Sequence, residues 1–295
     1  MKRALPTFAL AILASATSGL SQAVADETEV KTVHDLVAKI QAREGAVKSV
    51  RLAMTTTGEF PGGATFRTEG TLRVLDATHF HSKLEASFGD EMTSESETVK
   101  TPDGVWMRER DPAQGEVFVR MDKDLMADLE SASRALGDGS PAIAPGVDQA
   151  AGPLGSKMLE DLDAQFALKV EGPRVVDGQE VWTVDGDRRA GGDTVDDEFG
   201  PAERVAVLVR RSDCALIRMT TFSSGKPLVD VKVTSIELDV PMEPASFELA
   251  VPKRARVVDV MDHPPARAQI ERIFAEAKAK GWKRGGDEKV DDGGK

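Results

Sequence analysis

The feature that most constrains this chain is a change of period at Val50. From there apolar residues recur at every second position instead of every third and fourth. Val50, Leu52 and Met54 alternate with Arg51, Ala53 and Thr55. Phe66, Leu72 and Val74 share one parity, and Phe80, Ser82 and Leu84 follow after Asp76. Met92 to Val99 is a polar strand, and Val117, Val119 and Met121 alternate again. Period two, interrupted by Pro61-Gly62-Gly63 and by Thr101-Pro102-Asp103-Gly104, calls for antiparallel strands with one apolar face.

The pattern returns at Phe166, Leu168 and Val170. It continues through Val181 to Val184, Val205 to Val209, Leu216 to Phe222, Val229 to Val233, and Phe247, Leu249 and Val251. About eleven strands joined by short turns are expected, and a sheet of that size curls or closes. In "VKTPDGVWMRERD", Val99 to Asp111, Pro at the second turn position and Gly at the fourth fit a type I turn. Trp106 then shares a parity with Arg108, and Val105, Met107 and Glu109 share the other. A strand tryptophan is either core or part of a guest-binding face.

Helical periodicity brackets the strands. In Lys31 to Glu44, Val33, Leu36, Val37 and Ile40 form one stripe, Thr32 and Asp35 have capping-box spacing, and Gly45 terminates. Asp122 to Leu136 carries Leu125, Met126, Leu129 and Leu136, and Ser156 to Asp163 is a short helix. Ala266 to Lys280 carries Ile270, Ile273, Phe274 and Ala277. The fold class is therefore mainly β with α (α+β), a curved antiparallel sheet whose apolar face needs these amphipathic helices as cover. Gly137 to Gly155 reads as a long loop and the tail from Lys283 as disordered.

Lys2 and Arg3, the apolar run Ala4 to Ala14 and Ala23-Val24-Ala25 make a secretory signal peptide over residues 1–25. Its apolar run is too short to span a bilayer, and no later segment is apolar enough to do so. The formal charge of −12 becomes −14 when the +2 of Lys2 and Arg3 is removed. Such a chain is expected to repel nucleic acid and anionic membrane surfaces. Cys214 is the only cysteine, which excludes an internal disulfide.

Motifs for chemistry are missing. The sequence has no P-loop, G-x-G-x-x-G, G-x-S-x-G or H-E-x-x-H. His79 and His81 share a strand face without a third metal ligand in view, and Asp193, Asp196, Asp197 and Glu198 lack the EF-hand spacing. No catalytic residue, metal or cofactor is expected, and the protein is read as not an enzyme. The competing reading, a secreted hydrolase, needs a polar cleft with two perturbed carboxyl groups.

Several stretches resemble landmarks of the LolA/LolB-like periplasmic lipoprotein carriers. "HDLVAKIQAREGAVKSVRLAMTTTGEF" (His34 to Phe60) is similar to the family's first helix and strand. "TPDGVWMRERD" is similar to a segment in which Asp-Gly precedes an apolar-aromatic strand. Arg204 to Val260 is similar to its C-terminal meander, ending in Phe247, Val251 and Pro252 as a Phe-x-x-x-Val-Pro signature. "DATHFHSK" departs from the family pattern, with no Pro and His81 in place of an arginine. The resemblance spans most of Thr32 to Val260, and the helix beyond it is extra.

The resemblance implies an incomplete β-barrel whose mouth is covered by helices, over residues 26–262. A C-terminal amphipathic helix follows at 263–282 and a tail at 283–295. It also implies an exported periplasmic monomer that binds lipid or lipoprotein acyl chains and meets envelope donor and acceptor proteins. The expected apolar lining is Leu52, Met54, Phe66, Leu72, Phe80, Trp106, Leu125, Met126 and Leu129. A protein-binding regulatory module on the same fold, its interior filled by side chains, is the alternative.

Overall fold

Thr32 starts the first helix as its sequence demands. Its hydroxyl accepts from the Asp35 backbone N–H, and the Asp35 carboxylate accepts from Thr32 N, closing a capping box on α1 (Val33–Glu44). Val33, Leu36, Val37 and Ile40 are all buried, one face of the helix as the spacing predicts. The computed structural model describes residues 29–60, 62–76, 78–89, 92–113, 115–136, 154–190 and 201–284. The expected signal peptide, most of the 137–155 loop, the acidic cluster at 193–198 and nearly all of the tail lie outside the described residues.

A first meander follows, of β1 (Val50–Glu59), β2 (Thr65–Asp76), β3 (His79–Phe88), β4 (Met92–Thr101), β5 (Gly104–Asp111) and β6 (Gly115–Asp122). Two helices come next, α2 (Lys123–Leu136) and α3 (Ser156–Gln165). The second meander is β7 (Phe166–Val176), β8 (Gln179–Arg188), β9 (Arg204–Arg210), β10 (Leu216–Ser223) and β11 (Lys226–Leu238). Short β12 (Val257–Asp259) and α4 (Pro264–Ala279) end the described chain.

The twelve strands among the described residues form one sheet, in the order β12-β6-β5-β4-β3-β2-β1-β11-β10-β9-β8-β7. β1 pairs with β11 at the centre and joins the two meanders, and every pairing but β12 with β6 is antiparallel. β7 and β12 are left as separate edges, so the sheet is an open half-barrel. Register shifts at Ala53/Met54, Val74/Asp76 and Thr221/Phe222 bend the strands and tighten the curl. This is the architecture the sequence reading expects.

One expected strand is corrected. Phe247 to Val251 is not a strand, because this segment crosses the outer face instead of joining the sheet edge. Phe247 is 2% exposed, with the Arg73 guanidinium 5.4 Å from its ring and His79 edge-on at 5.6 Å. Arg73 also donates to the Ser246 carbonyl at 3.1 Å. The strap then reaches β6, where β12 adds in parallel.

The helices lie on the inner face in two groups. α1 and α3 cover β7–β10, packing Leu36, Ile40 and Leu159 on Trp182, Val184, Val205 and Val207. α2 and α4 cover the other wing, packing Leu129, Ile270 and Ile273 on Val105, Met107, Val119 and Met121. Burying each such aliphatic side chain is worth about 1.5–3 kcal/mol. α3 lacks a cap of its own, since Gly155 precedes it. Glu44, at the end of α1, accepts from Leu154 N at 3.0 Å and Ser156 N at 3.2 Å and supplies the cap from a distance.

Candidate functional site: the inner face and its rim

Strand pairing sorts the inner face into rows. The deepest is Val50, Val74, Phe80, Lys100, Val105 and Met121 across β1 to β6. The next is Leu52, Leu72, Ser82, Thr98, Met107 and Val119. Met54, Gly70 and Leu84 follow, then Thr56, Thr68 and Ala86, and finally Gly58, Phe66 and Phe88 at the rim. The face thus runs from aliphatic through hydroxyl to aromatic.

The sequence-named residues divide among these rows. Leu52, Met54, Leu72 and Phe80 gather with Val50, Val74 and Val231 in a central cluster, each between 1% and 6% exposed. Leu125, Met126 and Leu129 sit on the inner side too, but beneath α4 in the wing cluster rather than against the central one. Phe66 stands at the rim. Trp106 lies on the opposite face, paired with Val99 and Arg120, with the Arg120 guanidinium 5.6 Å from its ring. Parity groups residues but does not say which group faces inward; Val105 and Met107 pair with Val119 and Met121, and that apolar set takes the helices.

The rim holds what the sequence reading missed. Phe60 and Phe66 have ring centroids 5.2 Å apart, and Phe60 and Phe88 are 6.2 Å apart. The Phe66 ring lies over Gly58, where a side chain would collide with it. An open cleft of about 470 Å³ at the same strand ends is lined by Gly58, Phe66, Pro227 and Leu228 but mostly by the outward-facing row Thr57, Arg67, Ser87 and Asp230 and its neighbours, so it opens on the outer side of the sheet. A glycine in a threonine-rich strand opposite a phenylalanine was the available signal.

Charge is concentrated elsewhere. On the first wing's inner face, Lys100 is paired with Glu130 of α2 at 2.7 Å. The outer face carries a network in which Arg108 meets Glu95 at 3.2 Å, Glu97 at 3.3 Å and Glu116 at 2.8 Å. His81 sits between Arg73 and Glu97 there. Its burial lowers the imidazole pKa, although Glu97 pulls the other way. His79 bonds Asp76. Among the described residues no group of three or more His, Cys, Asp or Glu side chains is placed to hold a metal ion. No described helix is long and apolar enough to cross a membrane.

These features define an open antiparallel half-barrel with helices on its concave face and an aromatic mouth. No family model matches the chain, and no curated protein does. Solved structures similar to it include an uncharacterized conserved protein from Thermus thermophilus, at 13% identity and TM-score 0.40, covering 76% of this chain and 98% of that one. A LolA superfamily protein from Nitrosomonas europaea is similar at 9% identity and TM-score 0.28, covering 75% and 99%. MucB in complex with MucA(peri) is similar at 12% identity and TM-score 0.39, covering 77% of this chain and 62% of that chain.

Proposed function

We propose that the protein is an exported periplasmic carrier or sensor that takes acyl chains of lipids or lipoproteins onto its inner face. The observation that carries this reading is the continuity of that face. Three apolar clusters run from one wing to the other, and the central one leads to an aromatic rim. A flexible chain can enter such a face if Met54, Leu52 and their neighbours repack around it, and each buried CH₂ contributes about 0.8 kcal/mol. Neither a catalytic group nor a cofactor is required for this role.

One observation favours a second reading. The central residues are no more than 6% exposed, so the hollow is occupied by the protein's own side chains. A protein-binding module of the cell envelope needs no more than that. The test is native mass spectrometry of the protein purified from its own periplasm without detergent. A discrete adduct that extracts as lipid supports the carrier or sensor. A clean mass together with failure to bind any acyl probe moves the assignment to a protein partner.

A further inference from the structure

Thr56 is out of place in an apolar interior. It is 3% exposed, and its hydroxyl oxygen has no hydrogen-bond partner. A buried hydroxyl in that state is costly and therefore scarce in folded proteins. Its inner-face neighbours are Thr68 across β2, Val231 across β11, and Met54 and Gly58 along its own strand. None of these carries a charge. It stands one row in from Phe66 at the rim, and the rows from Thr56 down to Val50 cover about 20 Å of strand.

Resting on the acyl-chain reading above, we infer that Thr56 anchors the neutral carbonyl of an acyl ester or acyl amide. The Thr56 hydroxyl donates to the carbonyl oxygen. The hydrocarbon lies along Met54, Leu52 and Val50, and the polar remainder of the guest emerges between Phe66 and Leu228. A free fatty acid fits badly. Its carboxylate would be buried beside Thr68, Val231, Met54 and Gly58, none of which is a cation, and that costs far more than one hydrogen bond returns. The site therefore prefers esterified or amidated acyl chains to the ionised acid.

The test uses three probes of one chain length at pH 7.5, each displacing diphenylhexatriene from the delipidated protein. They are monooleoylglycerol, its ether-linked analogue without a carbonyl, and oleate. The wild type is expected to bind the ester about fivefold better than the ether, and oleate most weakly. Thr56→Val is expected to bind ester and ether equally, keep its grip on the ether, and fold at least as stably as wild type. Thr56→Ser retains the ester preference. If Thr56→Val folds poorly, Thr56→Ala is held to the same comparison.

An unchanged ester preference in Thr56→Val, or oleate binding as tightly as the ester, overturns the anchor while leaving the acyl-chain reading intact. If the wild type binds none of the three probes, the acyl-chain reading falls and the anchor falls with it. An N-oleoyl peptide in a fourth arm separates an amide-linked source from a glycerolipid.

Discussion

Replacing Gly58 by alanine puts a single methyl group between the rim and the sheet. The new Cβ would stand well inside contact distance of Phe66 Cε1, 2.7 Å from its Cζ and 2.8 Å from the Leu228 carbonyl oxygen. Gly58 is not in the left-handed region, so the cost is steric rather than conformational. Overpacking of this kind costs about 1–3 kcal/mol. Relief of the glycine's unfolded-state entropy offsets about 0.5–1 kcal/mol. A net loss of about 1–2 kcal/mol is expected, read as a lower urea midpoint by circular dichroism with an unchanged slope. Adding Phe66→Leu should recover about 1 kcal/mol in a double-mutant cycle, because the ring is the nearest obstacle. A Gly58→Ala variant as stable as wild type would refute the ring-over-glycine arrangement. Strict additivity would instead move the obstruction to the Leu228 carbonyl.

Trp106→Ala should leave acyl-probe binding unchanged and Phe66→Ala should weaken it, since only Phe66 is on the inner face; titration of a fluorescent fatty-acyl probe decides. Ile273→Ala removes a fully buried side chain from the α2–α4 contact and should cost about 2–5 kcal/mol in urea unfolding. Glu44→Ala strips the acceptor from Leu154 N and Ser156 N and should cost about 1–3 kcal/mol, with amide exchange quickening first at the start of α3. Burial raises the Asp230 carboxyl pKa, but bonds from Arg218 and Thr220 outweigh it and bring the value below the ordinary 3.8. Its stabilisation is complete above that ordinary value and is lost as pH falls through the lower folded one. Asp230→Asn should therefore flatten the stability profile below about pH 4.

Much of the fold was legible because its signals are local. The Thr32–Asp35 box and the Val33, Leu36, Val37, Ile40 stripe are readable one helix at a time, and α1 begins and ends within two residues of expectation. Strand parity was readable for the same reason. Inward direction was not, because it depends on which set of residues a neighbouring strand presents. Trp106 shows this: its bulk argued for the interior, yet its parity-mates are Arg108 and Arg110, and its cross-strand partner is Arg120. The path of Phe247 to Val251 was also beyond reach. Its alternation suits a strand, but Arg73 and His79 on distant strands supply a better seat for Phe247. The rim was missed because Phe60, Phe66 and Phe88 come from three separate stretches that only the sheet assembles.

The seam between β1 and β11 bears on how the chain is made. Val50 pairs with Leu238, so the central ladder cannot begin until nearly all of the sheet-forming chain has emerged. Closing so long a loop is entropically unfavourable and slow, whereas all the other pairings but that of β12 with β6 join consecutive strands. Each meander alone leaves β1 or β11 as an open edge with an apolar row beside it. The first-made meander can pair its own strands, but β1 lacks its second neighbour until β11 is made. Late closure at the centre therefore leaves each half with an unpaired edge until β11 meets β1.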